Sequence, residues 1–212
     1  MTRTKVLLAD DHTLLLEAFK GLLEPEFEIV AAVADGRALM EHVITLRPDV
    51  VVADISMPLL NGLEAARQLQ GMSPRPRLIF LTMNPDPEVA NEAFRVGAMG
   101  YLLKTSAASE LTVAIRAVVR GLKYVTPAMK RKLDEEFIRN PSGEKKSHAL
   151  TGRQREVLQL LVEGRPMKEA AAILNVAPRT IAYHKYKMMA DLGLRSNAEL
   201  IQYALANKVI LH

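Results

Sequence analysis

The sequence predicts an α/β protein in two parts. A five-stranded, parallel, doubly wound domain covers residues 1–123, and a small all-α helix-turn-helix domain covers residues 149–212. A linker containing a helix joins them over residues 124–148. Three observations carry this. As far as Lys123, short β-branched apolar runs alternate with segments of helical period. Beyond Ala149 only helical patterns remain. The charge balance also changes sign, from 13 Lys and Arg against 15 Asp and Glu up to Lys123 to 15 against 9 after it.

At 212 residues, 49 % hydrophobic and 25 % charged, the chain can bury the cores of two modest domains. The absence of cysteine excludes disulfides and thiolate metal sites and suits a reducing compartment. Near the N-terminus the apolar run Val6-Leu7-Leu8-Ala9 is too short for a signal peptide or a membrane span, so a cytoplasmic protein without membrane contact is expected. The basic second part suggests an anionic partner, nucleic acid being the usual one.

The first domain is organised around Val50-Val51-Val52-Ala53-Asp54, set between Pro48 and Pro58. This run is short, β-branched and without an alternating polar face, which marks a buried parallel strand. Strands are predicted over residues 6–9, 28–34, 50–53, 78–82 and 100–103, and helices near residues 12–23, 37–46, 63–70, 88–96 and 109–120. Asn61-x-x-Glu64 supplies a capping signal for the third helix. Leu111, Ile115, Val118, Val119 and Leu122 form the apolar face of the fifth.

Parallel strands place their carboxyl ends on one edge, where open α/β sheets bind ligands. Those ends carry Asp10, Asp11, Asp54, Thr82 and Lys104. Singly, each has an ordinary account: Asp54 caps a strand, Thr82 bonds its own backbone, Lys104 faces solvent. Together they make a site. Three close carboxylates repel, which raises the pKa of at least one unless a cation joins them. Mg²⁺, a hard ion with oxygen ligands, relieves that repulsion. Asp54 then has the character of a nucleophile toward a phosphoryl group, with Mg²⁺ and Lys104 neutralising charge and Thr82 donating its hydroxyl to a phosphate oxygen.

The ordered set Asp10-Asp11, Asp54-x-x-Met57-Pro58-x-x-x-Gly62, Leu81-Thr82 and Gly97-Ala98-x-Gly100-Tyr101-Leu102-Leu103-Lys104 resembles the receiver domain of bacterial two-component response regulators. The resemblance implies that Asp54 is the phospho-acceptor and that Asp10, Asp11, Asp54 and the Ser56 backbone carbonyl hold Mg²⁺. It also implies that Thr82 and Lys104 contact the phosphoryl group, and that Thr82 and Tyr101 form a switch that moves inward after phosphorylation. Thr105 stands where many receivers have proline, and Met83 where many carry a small residue, so Met83 is expected to restrict access to Asp54.

In the linker, Tyr124-Val125-Thr126-Pro127 reads as a helix entry with Thr126 as cap and Pro127 at the first helical position, followed by a helix over residues 128–139. Residues 140–147 read as a flexible tether. In the second domain Thr151-x-x-Gln154 is a capping box for a helix bearing Val157, Leu158 and Leu161 on one face. A second helix carries Ala170, Ala171 and Leu174, a third starts at Pro178, and Ser196-x-x-Glu199 opens a fourth. On the third, Ile181, Met188 and Leu192 recur on a buried face and leave Arg179, Ala182, Tyr183, Tyr186 and Lys187 outward. That basic and aromatic face suits phosphates and base edges of duplex DNA, or simply a solvated surface.

Leu150-Thr151-x-Arg153-Gln154-Arg155-Glu156-Val157-Leu158, Arg179-Thr180-Ile181-x-x-His184 and Arg195-Ser196-x-Ala198-Glu199-Leu200 resemble the LuxR-type DNA-binding domain. A receiver followed by this domain is the NarL/FixJ arrangement. It implies that Thr180, His184 and Lys185 or Lys187 meet phosphates, that Ala182, Tyr183 and Tyr186 take base-reading positions, and that the last helix pairs subunits. Pro166 and Ala177 stand where capping Ser or Thr is usual, and Asp191 where lysine is usual, placing a negative charge near DNA. The function expected is a DNA-binding transcription regulator controlled by phosphorylation of Asp54 by a sensor histidine kinase, a homodimer on promoter DNA and not an enzyme. A metal-dependent phosphohydrolase using Asp54 and a regulator acting without phosphorylation are the alternatives.

Overall fold

The computed structural model describes residues 3–83, 85–139 and 150–207. The chain divides into two compact units, Met1–Gly143 and Glu144–His212. The expected tether over residues 140–147 lies outside the described residues.

In the first unit the elements alternate as β1 (Lys5–Ala9), α1 (Thr13–Leu23), β2 (Glu28–Val33), α2 (Gly36–Leu46), β3 (Val50–Asp54), α3 (Gly62–Leu69), β4 (Arg77–Thr82), α4 (Pro87–Arg95), β5 (Gly100–Leu103), α5 (Ala107–Val119), β6 (Tyr124–Val125) and α6 (Pro127–Arg139). The sheet is parallel throughout, in the order β2-β1-β3-β4-β5-β6. One face packs Val6, Leu8, Val50, Val52, Ile79 and Leu81 against Leu16, Phe19 and Leu23 of α1 and Leu111, Ile115 and Val118 of α5. The alternate residues Leu7, Val51, Leu78 and Phe80 are buried as well. Both faces are therefore covered, which is why these strands read as continuous apolar runs.

The sheet has six strands, one more than expected. Tyr124 and Val125, read as a helix entry, pair instead with Gly100 and Tyr101 of β5. The sheet thus continues past Lys123 into the stretch assigned to the linker. Leu122 also departs from expectation and is exposed. Helix α5 ends at Val119, and Gly121 takes φ +81°, a left-handed turn that carries the chain off the helical period before Leu122.

The second unit contains α7 (Gly152–Val162), α8 (Met167–Ile173), α9 (Pro178–Asp191) and α10 (Asn197–Ala206). Thr151 and Gln154 make the predicted reciprocal capping box, and Ser196 caps α10 by accepting from the Glu199 N–H. Pro166 and Ala177 give no side-chain cap, as their residue types dictate. Val157 and Leu158 of α7 are fully buried as expected, and Leu160 joins them where Leu161, only half-buried, was expected. Helices α8 and α9 pack together, joined by a turn in which Asn175 has φ +51°, and α7 packs on both.

Candidate functional site

Strand register places the site. Ala9 lies opposite Ala53, Asp54 opposite Leu81, and Thr82 opposite Leu103. Asp10, Asp54, Thr82 and Lys104 consequently emerge together at the carboxyl edge of four adjoining strands, and the structure buries all four. The Lys104 ammonium sits 2.7 Å from Asp10 Oδ2 and 2.8 Å from Asp54 Oδ2. Lys104 is thus not a solvent-facing lysine but the cation of a buried cluster. Gly62 allows the next loop to approach: a Cβ there would lie 2.4 Å from the Asp54 carbonyl oxygen and 2.9 Å from the Phe80 ring.

The electrostatics follow from this burial. Desolvation pushes the Asp54 carboxyl above its usual range. The Lys104 hydrogen bond and charge and the Ser56 backbone N–H oppose that rise, while the Asp10 charge adds to it. Repulsion between carboxylates was the reason expected from sequence; burial is the larger cause. For Lys104, desolvation acts downward but is outweighed by hydrogen bonds and attraction from Asp10 and Asp54, so its pKa rises. At neutral pH the ammonium stays charged.

Asp11 is exposed at the mouth. His12, absent from the expected site, places Nδ1 3.0 Å from Asp10 Oδ1 and 2.9 Å from Asp11 Oδ1. Asp10, Asp11, His12 and Asp54 each offer a ligand atom within 4.8 Å of the others. Adjacency of a histidine to two aspartates was the available signal. Asp10 Oδ2 is buried with the Lys104 ammonium as its partner at 2.7 Å, and Asp10 Oδ1 accepts from the His12 backbone N–H at 3.0 Å. Oxygen donors of this kind, held together with spare acceptor capacity, fit a hard divalent cation such as Mg²⁺.

Thr82 and Tyr101 are buried and hydrogen-bond each other through their side chains. Burial raises the Tyr101 hydroxyl pKa, with the Asp86 charge adding to it. Tyr101 also packs on Phe94, ring centroids 6.4 Å apart. Because β6 covers β5, Tyr101 belongs to an interior strand and not to an edge. Met83, one residue past β4, is largely exposed.

In the second unit α9 carries the other predicted residues. Arg179, Tyr183, Tyr186 and Lys187 are exposed, the two tyrosines at 61 % and 59 %. Thr180, Ala182 and His184 are half-buried, and the Tyr183 and His184 rings meet edge-on at 5.5 Å. Lys185 departs from the set. It is only 8 % exposed, with Nζ 5.3 Å from the centre of the Tyr186 ring. Four residues after Ile181 and three before Met188, it shares their buried stripe. Lys187 and Asp191 lie 3.8 Å apart as an i,i+4 pair.

Comparison with known proteins agrees with both halves of this picture. Residues 6–116 match the family described as response regulator receiver domain, and residues 148–204 match bacterial regulatory proteins, luxR family. The oxygen regulatory protein NreC of Staphylococcus aureus is 35 % identical over 214 residues, covering 97 % of this chain and 99 % of NreC. RcsB from Salmonella enterica serovar Typhimurium, solved bound to promoter P1flhDC in the presence of the phosphomimetic BeF3−, is 27 % identical, with TM-score 0.61 and coverage of 95 % and 98 %. A further RcsB structure, two dimers on two parallel DNAs, is 28 % identical, with TM-score 0.59 and the same coverage. Likeness along nearly the whole chain, joined to the strand-end acid cluster and the exposed face of α9, leads to one assignment: the chain belongs to the two-component response regulators with a luxR-family domain, a DNA-binding transcription regulator and not a phosphohydrolase.

Proposed function

We propose that Asp54 is the phospho-acceptor of this regulator, that a sensor histidine kinase is its donor, and that phosphorylation controls DNA binding by the second domain. The observation that carries the reading is the convergence of Asp10 and Asp54 on the Lys104 ammonium, at 2.7 and 2.8 Å, at the sheet edge. Asp10, Asp11, Asp54 and the Ser56 carbonyl are the groups that would hold Mg²⁺. When bound, the ion supplies neutralising charge for an incoming phosphoryl group. The chain's own residues do the rest. The Asp54 carboxylate attacks phosphorus, and the bond to the donor group breaks. Lys104 is positioned to follow the new negative charge, and Thr82 to donate its hydroxyl to it. Thr82 and Tyr101 act as the switch, and their buried hydrogen bond supports a coupled movement. Incubation with acetyl phosphate and Mg²⁺ tests this: the intact mass rises by one phosphoryl group, and hydroxylamine, which cleaves acyl phosphates, removes it. A phosphoryl group resistant to hydroxylamine would contradict the acyl linkage.

Met83→Ala is expected to speed this labelling a few-fold by opening the approach to Asp54. Equal rates in the two chains would relieve Met83 of that role.

For the second domain, α9 is the helix we assign to the DNA major groove, in a homodimer with one such helix per half-site. Arg179, Thr180, His184 and Lys187 serve phosphates, Lys185 joining them only if it leaves its buried position, while Ala182, Tyr183 and Tyr186 meet base edges. The dimers on DNA seen for RcsB support this arrangement. Among the described residues no helix is long and apolar enough to cross a membrane. Asp191→Lys removes a repulsive charge and is expected to tighten DNA binding and steepen the salt dependence by about one phosphate contact. Binding curves that superimpose across a salt series would contradict it.

A further inference from the structure

Thr126 holds a position the sequence assigns to a helix cap, yet its hydroxyl does not cap its helix. The hydroxyl oxygen accepts from the Leu103 N–H of β5 at 3.2 Å, with the Ser106 hydroxyl 3.5 Å away. Thr151, in the same position at the start of α7, accepts from the Gln154 N–H of its own helix. The Thr126 backbone N–H donates to the Tyr101 carbonyl at 3.1 Å, while its own carbonyl accepts from Met129 and Lys130 in the first turn of α6. One residue, 3 % exposed, is therefore part of the sheet and of α6 together.

Its partners on β5 are residues of the site. Tyr101 bonds Thr82. Leu103 directly precedes Lys104, whose backbone N–H donates to the Thr82 carbonyl at 2.8 Å. On the far side, α6 is anchored by fully buried Met129, packs along α4, and sends Lys132 Nζ to the Pro85 carbonyl at 3.3 Å. Pro85 lies in the segment between Thr82 and α4. Helix α6 thus touches the neighbourhood of the phospho-acceptor from two directions, and from its end the chain runs on to the DNA-binding unit.

We infer that Thr126 is a positioning residue that couples the occupancy of Asp54 to helix α6, through the Leu103 N–H on one side and the Tyr101 carbonyl on the other. This rests on Asp54 being the phospho-acceptor. A shift of Lys104 toward a phosphoryl group displaces the end of β5, and the first turn of α6 follows because its starting residue is bonded to that strand. A change at the edge of the receiver sheet so becomes a change in the segment that leads to DNA.

The test is amide hydrogen exchange of the full chain with and without acetyl phosphate and Mg²⁺, in the wild type, Thr126→Val and Thr126→Ser. Valine keeps the branched shape and removes the acceptor; serine restores it. In the wild type, exchange in the first turn of α6 changes about fivefold or more on phosphorylation, the low end of ordinary coupling between sites. Thr126→Val takes up phosphoryl at a rate within about twofold of wild type, as the phosphoryl-contacting groups are untouched, but its α6 responds several-fold less, only the backbone bond to Tyr101 remaining. Thr126→Ser recovers the response. A full α6 response in phosphorylated Thr126→Val overturns the inference, and so does a wild-type α6 that stays unchanged while Asp54 is phosphorylated. The latter result needs no variant. A wild-type chain that takes up no phosphoryl group overturns the phospho-acceptor reading, and the coupling with it.

Discussion

Asp54→Asn is expected to carry no phosphoryl group after incubation with acetyl phosphate and Mg²⁺, while folding at least as stably as the wild type. The first half follows from chemistry: an amide of the same shape can still accept a hydrogen bond from Lys104 but offers no carboxylate to attack phosphorus. The second half follows from linkage. The folded-state pKa of Asp54 is raised, burial being the main cause. The folded chain therefore binds that proton more tightly than the unfolded chain. The resulting stability is present at low pH and is lost as pH rises through the folded-state pKa. Above the ordinary carboxylate range Asp54 is therefore a net cost to the folded state, which asparagine removes. Calorimetry in EDTA should place the unfolding midpoint of Asp54→Asn at or above that of the wild type. A lower midpoint would mean that the Lys104 pairing outweighs desolvation.

Lys104→Met should behave in the opposite way. It removes the ammonium that lies 2.7 and 2.8 Å from two buried carboxylates and leaves Asp10 and Asp54 facing each other without a cation. Removing one partner of a buried ionic set typically costs about 3–5 kcal/mol, because the remaining charges stay desolvated. Urea unfolding in EDTA should show a loss of that order. Saturating Mg²⁺ should return much of it, since the site proposed for the ion exists in the folded cluster and not in the unfolded chain. Unfolding curves that coincide with wild type in EDTA would show that the ammonium does not hold the cluster together.

The legible parts of the chain were those whose signal is local. Val50-Val51-Val52-Ala53-Asp54 announces a strand by composition, and a parallel sheet then dictates that Asp10, Asp54, Thr82 and Lys104 share an edge. Strand β6 was not legible. It is two residues long, too short for any period, and it forms because β5, far from it in sequence, offers an open edge. Thr126 was misread for the same reason, since a Thr before a Pro at a helix start looks like a cap until the Leu103 N–H is brought to it. Lys185 is a different case. Its spacing from Ile181 and Met188 puts it on the buried stripe, against the exposed role that the LuxR-type pattern implies. His12 too was available, next to two aspartates, although only the fold brings Asp54 within reach of the same point.

The central claim is that a phosphoryl group on Asp54 governs DNA binding, and the most direct measurement is the affinity of the full chain for a duplex selected from a random-sequence pool, with and without acetyl phosphate and Mg²⁺, in wild type and Asp54→Asn. The account predicts a change of about tenfold in the wild type, a typical coupling between sites, and none in Asp54→Asn. Equal affinities for the phosphorylated and unphosphorylated wild type, or the same response from Asp54→Asn, would contradict it and favour a regulator that works without phosphorylation.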